Sequence, residues 1–254
     1  MRHLRAAWRA ALFLGWSAGC WLVYQLARPL GWFRPAALRR VQTGLCRAWA
    51  RGIARGVGLR IQVEGRPPEA PFLLVSNHLG YLDIVTLMAA APAVFVSRAD
   101  VAGWPVLGRL ARSADTIFID RALKRDVARV NELIASVLDQ GRGLIMFPEG
   151  TSTAGEEVLP FRSSLLQPAA ALELPVSWAS LAYHTPPGEP AAAEAVAWWG
   201  EMTFGGHFWR LLGLPRVDAR LRFGGEPVSG ASRHELAREL HAAVSAALPG
   251  VRSR

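Results

Sequence analysis

The sequence predicts an α/β fold. A mixed, mostly parallel sheet is flanked by helices and preceded by an N-terminal pair of helices, one hydrophobic and one amphipathic. Three observations carry this. The chain has 254 residues, enough for one sizeable α/β domain with a small appendage. From about Leu59, short apolar runs alternate with stretches of helical periodicity, the pattern of strands joined by covering helices. Before Glu64 there is no acidic residue but there are eleven arginines, so the first part of the chain differs in kind from the rest. The expected division is a membrane-anchoring helix pair over residues 1–58 and an α/β domain over residues 59–254.

The elements follow in order. Ala10 to Ala27 reads AALFLGWSAGCWLVYQLA, eighteen uncharged residues between Arg9 and Arg28. That length is at the lower limit for crossing a bilayer. Trp8, Trp16, Trp21, Tyr24 and Trp32 suit its interfacial zone. A secretory signal peptide is the competing reading, but both flanks are basic and no clear cleavage site follows. Next, Leu38, Val41, Leu45, Trp49, Ile53 and Val57 recur at steps of three or four, with Arg40, Arg47, Arg51 and Arg55 opposite. This is a basic amphipathic helix; beside the uncharged run it is expected to lie in an anionic membrane surface rather than to pack on its own domain.

Strands are then predicted at LRIQVEG, FLLVSN, AVFVSR, TIFID, GLIMFPEG, VSWASLAYH and ARLRFGGEPV. Helices are predicted at Asp83–Ala90, Trp104–Ser113, Lys124–Gln140, Leu165–Leu172 and Ser232–Leu248. Pro186 to Ala193 reads as a loop. The aromatic run VAWWGEMTFGGHFWRLLGL reads as either a helix or a second membrane-facing patch.

Composition narrows the function. Hydrophobic residues are 51% of the chain and charged residues 19%, apolar for a soluble protein but short of a multi-span membrane protein. The net charge is +9, yet beyond the eleven N-terminal arginines the balance is 18 basic against 20 acidic residues. The basic character therefore belongs to the N-terminal segment, and no nucleic-acid footprint is expected on the main domain. The two cysteines, Cys20 and Cys46, form no CxxC or His/Cys cluster. No metal site is expected, and a reducing compartment fits.

Chemistry gathers at three strand ends. In LLVSNHLGYLDIV (Leu73–Val85) an apolar strand stops at Asn77-His78, with Asp83 five residues beyond His78. A five-residue step on one helix rotates by about 500°, so the two side chains would diverge by roughly 140°. They can meet only if His78 lies in the loop and Asp83 in the first helical turn, with Gly80 easing the bend. Asp83 could then accept from one imidazole nitrogen and leave the other as a general base. Taken alone, the pair reads rather as a solvated histidine and a helix-starting aspartate.

A second strand runs into Pro148-Glu149-Gly150-Thr151, a carboxylate, a tight turn and a hydroxyl. A third, TIFID, runs into Arg121, whose planar fork suits phosphate; Arg98 after AVFVS is a candidate of the same kind. In open α/β sheets, sites gather beyond the carboxyl ends of strands. There is no G-x-S-x-G elbow, no P-loop and no suitable cysteine. A base without a protein nucleophile points to direct transfer to a substrate hydroxyl.

Together these features resemble the glycerophospholipid acyltransferase family, of the 1-acylglycerol-3-phosphate acyltransferase type. N-H-x-x-x-x-D matches Asn77, His78 and Asp83; the second motif matches Phe118, Ile119 and Arg121; F-P-E-G-T matches Phe147 to Thr151; and Leu174-Pro175-Val176 resembles the fourth. The likeness covers about Phe72 to Leu181. Asp115 stands where the second motif has glycine, Ser152 where arginine is common after the third, and the fourth lacks its second proline near Trp178.

The resemblance implies a fatty acyl group moving from acyl-CoA or acyl carrier protein to the sn-2 hydroxyl of 1-acylglycerol-3-phosphate. His78 and Asp83 would be catalytic, and Asn77, Arg98, Arg121, Glu149, Gly150 and Thr151 would bind substrate. No metal or bound cofactor would be needed. The partners implied are a membrane lipid acceptor, the acyl donor and an anionic membrane surface, with the catalytic domain on the cytoplasmic face of the cytoplasmic membrane. EGTSTAGEEVLPFRSSL is also similar to members that acylate lyso-ornithine lipid, which keeps a phosphate-free acceptor open. A thioester or lipid-ester hydrolase, or a non-enzymatic membrane binder, are the other readings.

Overall fold

The computed structural model describes residues 1–120 and 124–248. The chain opens with α1 (Arg2–Ala27), the single turn α2 (Leu30–Phe33) and α3 (Pro35–Val57). Then come β1 (Leu59–Glu64), β2 (Phe72–Ser76), α4 (Leu82–Ala90), β3 (Val94–Arg98), α5 (Leu107–Ser113), β4 (Ile117–Ile119), α6 (Lys124–Asp139) and β5 (Gly143–Met146). After these lie α7 (Gln167–Ala171), β6 (Val176–His184), α8 (Ala192–Ala195), α9 (Phe204–Gly213), β7 (Val217–Phe223) and α10 (Arg233–Ala247). Short 3-10 turns occupy Ala99–Gly103 and Ser163–Leu166.

The strands form one seven-stranded sheet in the order β1-β7-β6-β2-β5-β3-β4. All neighbours pair in parallel except β6 and β7. The sheet is thus mixed and mostly parallel, with five co-directional strands and a reversed edge pair, β7 and β1. β2 lies at its centre and every residue of it is buried. Its side chains alternate between two cores. Phe72 and Leu74 join the cluster under α3, α4 and α9, while Leu73 and Val75 join the cluster under α6, α7 and α10. Burial on both faces is why this strand reads as an unbroken apolar run.

Local signals explain the helix ends. Gly58 closes α3 in the left-handed conformation at φ 75°, which a glycine adopts without penalty. The Ser232 hydroxyl accepts the Glu235 amide and starts α10. The aromatic run around Phe204 contains α9, which packs on α1 through Phe208 against Phe13.

α1 and α3 form an antiparallel pair. Trp49 Nε1 donates to Ser17 Oγ at 2.9 Å, and Trp16 Nε1 donates to the Trp49 carbonyl at 3.2 Å. The first half of α1 is tied to the domain by arginines. Arg5 donates to the Gly213 carbonyl, and Arg9 to the carbonyls of Leu212, Leu214 and Pro215, at the carboxyl end of α9. Cations there complement the helix dipole.

α3 corrects one expectation. Over its last turns its apolar stripe faces the protein, where Ala50, Ile53, Ala54 and Val57 lie in the same core as the sheet, while Val41 near its start is exposed. Two arginines of its basic face, Arg47 and Arg51, donate to the carbonyls of Ala89 and Ala90 at the carboxyl end of α4. The helical periodicity is as expected, but those charges serve helix termini rather than facing outward as a free stripe. Arg40 and Arg55 remain exposed.

Candidate active site

β2 delivers the site. It ends at Ser76, Asn77 and His78 follow at once, and α4 begins at Leu82. The turn between them is tight at Gly80, with φ at 153°. A side chain there would press on the Trp198 backbone nitrogen at 3.0 Å. Asp83 falls in the first turn of α4 and is completely buried.

His78 and Asp83 meet across this turn. His78 Nδ1 lies 2.7 Å from Asp83 Oδ2. The same oxygen accepts the amides of Leu79 at 2.6 Å and Gly80 at 2.9 Å. Asp83 Oδ1 accepts the Tyr183 hydroxyl at 3.0 Å. A carboxylate only accepts, so Nδ1 carries the imidazole proton and Nε2 keeps its lone pair. The imidazole is stacked on Phe147, with ring centroids 4.2 Å apart and planes 16° from parallel. About a fifth of the His78 side chain (22%) is exposed, so it is held yet reachable.

The turn after β5 supports this loop from beneath. Glu149 is buried, with Oε1 accepting the His78 amide at 2.7 Å and Oε2 the Leu159 amide at 2.8 Å. Burial pushes its carboxyl up to about 7, against the pull of those two amides and of His78. The Thr153 amide donates to the His78 carbonyl at 2.9 Å, and the Trp198 amide to the Leu79 carbonyl at 2.7 Å. Ser152 in turn donates to the Trp198 carbonyl. The segment before α9 therefore clamps the His78 loop to the Glu149 turn.

A cavity of about 330 Å³ opens at His78. Gly150, Thr151, Ser152 and Arg98 also line it. Its walls are mainly apolar: Trp21 from α1, Trp49 from α3, Val85 and Met88 from α4, Val96 from β3 and Leu107 from α5. Gln42 contributes a polar point, donating to the Ser113 carbonyl at 2.7 Å.

The other expected residues are distributed as follows. Asn77 does not reach the cavity: its amide nitrogen donates to the Leu181 carbonyl and its oxygen accepts the Leu181 amide, both at 2.8 Å. Glu149 likewise holds only backbone. For both, the expected substrate contact is not what the structure shows: their buried polar atoms face main chain. Arg98 lies at the cavity and pairs bidentately with Asp100 at 2.9 and 3.0 Å. Arg121 lies outside the described residues.

Several residues escaped the sequence reading. Tyr183 is one. Tyr81 is another: its hydroxyl lies 2.8 Å from His207 Nδ1, joining the loop to α9. The only sequence signal for either was a polar-tipped aromatic inside an apolar stretch.

The sheet agrees with the comparisons to known proteins. Residues 60–180 match the Acyltransferase family. The chain belongs to that family of enzymes. Among its relatives is the lyso-ornithine lipid O-acyltransferase of Pseudomonas aeruginosa, 33% identical over 98% of this chain and 96% of that protein. The 1-acyl-sn-glycerol-3-phosphate acyltransferase of Neisseria meningitidis serogroup B is 31% identical over 68% of each. The crystal structure of the 1-acyl-sn-glycerophosphate acyltransferase PlsC from Thermotoga maritima superposes over 100% of both chains with a TM-score of 0.68 at 19% identity, a likeness of fold.

Proposed function

We propose that this protein transfers a fatty acyl group from a thioester donor, acyl-CoA or acyl carrier protein, to the hydroxyl of a lyso-lipid. The observation that carries this is the His78–Asp83 pair at the mouth of an apolar cavity. His78 Nε2 removes the proton of the acceptor hydroxyl, whose oxygen attacks the thioester carbonyl carbon. Asp83 holds the ring and balances the imidazolium that forms. The tetrahedral intermediate collapses to the new ester, and the departing thiolate takes the proton from His78. The acyl chain lies in the cavity, between α4 and α5 on one side and the α1–α3 pair on the other. This chemistry needs no metal or bound cofactor.

The acceptor favoured is lyso-ornithine lipid. Supporting it are the end-to-end likeness to the Pseudomonas enzyme and the run from Glu149 to Leu165, with Ser152 in place of arginine. The alternative, 1-acylglycerol-3-phosphate, draws on the likeness to the Neisseria enzyme over 68% of the chain. Purified enzyme with labelled acyl-CoA and both acceptors, side by side, tests the assignment. Ester formed on lyso-ornithine lipid at the higher kcat/KM is expected; preference for the phosphate acceptor reverses the assignment. Fatty acid released without either acceptor makes the enzyme a hydrolase.

The lipid reaches the site through the helix pair. α1 is long and apolar enough to cross a bilayer, and only 6% of its most apolar window is buried. Yet its start is bound to α9 and α3 leads straight into β1, so both ends of the pair sit at the domain. The far end carries Leu26, Trp32 and Phe33, 74%, 83% and 82% exposed. A hairpin that dips into one leaflet and returns fits this better than a span. α3 carries Arg39, Arg40, Arg47, Arg51 and Arg55, which oppose crossing.

A further inference from the structure

Asp83 holds an ionisable group where water does not reach. Its Oδ2 is served by three donors, His78 Nδ1 and the amides of Leu79 and Gly80, all from its own loop. Its Oδ1 points the other way, toward β6, and takes the Tyr183 hydroxyl. A phenol–carboxylate contact between residues 100 apart in sequence, buried at both ends, calls for an explanation beyond packing.

We infer that Tyr183 is a positioning residue for acyl transfer, setting the orientation and charge of Asp83 and through it the basicity of His78. This rests on the proposed role of His78 as the base.

The register of β6 makes the contact. Leu181 is gripped by Asn77 through both its amide and its carbonyl. Tyr183, two residues on, points to the same face of the sheet. Both residues lie in the core cluster that packs on α4. The start of the loop and the carboxylate at its end are thus referred to one strand.

The proton balance is determined by the partners. Asp83 only accepts, so the Tyr183 proton goes to Oδ1. The Tyr183 oxygen lies 2.9 Å from Thr86 Oγ1, whose hydroxyl also reaches the Leu82 carbonyl at 3.0 Å. Burial and the neighbouring Asp83 both hold the phenol in its neutral, donating form. The hydroxyl draws charge from the carboxylate. Without it, Asp83 is left with an unpartnered buried oxygen and grips the imidazolium more tightly. The charge balance across the His78–Asp83 contact changes with it, so the acid limb of the rate profile is expected to move upward. Among the described residues, Glu149 faces the loop against the His78 amide, His207 faces Tyr81, and Arg98 with Asp100 lines the same cavity. All of these are common to wild type and variant and do not produce the difference.

The test compares full-length wild type, Tyr183→Phe, Thr86→Val and His78→Ala for kcat, KM and the pH dependence of kcat/KM. Tyr183→Phe is expected to lower kcat about 10–100-fold, the scale of a hydrogen bond to a charged group. KM should stay nearly unchanged and the acid limb should shift upward. Thr86→Val should do the same more weakly. A Tyr183→Phe enzyme with wild-type kcat and an unmoved acid limb overturns the inference, as does a loss of rate explained by the fraction folded. If Tyr183→Phe does not fold, a folded Thr86→Val with an unmoved limb overturns it equally. Full turnover in His78→Ala overturns the base itself; an inactive His78→Ala beside a normal Tyr183→Phe removes only Tyr183.

Discussion

At the scale of single residues, buried carboxyls carry the site and are handled differently. Asp83 receives four donors, whereas Glu149 receives two and is pushed up to about 7 by burial. The linkage sign follows. A carboxyl raised in the folded state favours folding while protonated, so its contribution is complete below its unfolded value near 4.5 and lost as pH rises through about 7. The span corresponds to about 3 kcal/mol. Glu149→Gln removes this titration, and it places an amide where one oxygen accepted a backbone N–H. Chemical denaturation across pH 4.5 to 7 should therefore show a flatter pH dependence in the variant, with lower stability at the acidic end. An unchanged slope would locate the titration elsewhere.

The residue scale also shows what the sequence made legible. The His78–Asp83 contact was predictable because helical rotation admits only one way for residues five apart to meet. The duties of Asn77 and Glu149 were not, because a polar residue at a strand end looks the same whether it faces substrate or main chain. Tyr183 was invisible for a related reason: its partner sits on α4, a hundred residues away in the chain.

At the scale of elements, α5 ends in a position that sequence alone read as a departure. Asp115 has φ at 56°, the left-handed region that glycine favours. Aspartate is among the few other residues that visit it, and here Arg142 holds its carboxylate at 2.7 Å. Aspartate in this chain meets a backbone demand that glycine meets without penalty. Asp115→Gly should then be milder than Asp115→Ala, by about 1 kcal/mol in urea unfolding. Equal losses would assign the residue's value to the ion pair alone. α3 makes a second case. Cys46 lines the cavity from this helix. Cys46→Phe should fill part of that space and turn donor preference toward shorter acyl chains, measured by competition between donors of different length. An unchanged preference would place the acyl chain elsewhere.

At the scale of the whole molecule, the helix pair is a wall of the cavity and, in the proposed function, the contact with lipid. It closes the apolar cavity and exposes Trp32 and Phe33 at the end away from the domain. Trp32→Ser with Phe33→Ser should weaken sedimentation with anionic vesicles while sparing turnover on detergent-dispersed acceptor. Loss of both together would mean that the tip shapes the site rather than reaching the lipid.

The helical state of the aromatic run that holds α9 aside, the sequence by itself determined the strands, most of the helices between them and the bend that joins His78 to Asp83. These are local matters, set by periodicity, glycine and helical rotation within a dozen residues. Only the tertiary structure decided that β7 and β1 run against the other strands, that α3 turns its apolar stripe inward over its last turns, and that Tyr183 reaches Asp83. Those outcomes depend on which distant segments become neighbours. Strand order and register settle that, and no local pattern in the chain encodes it.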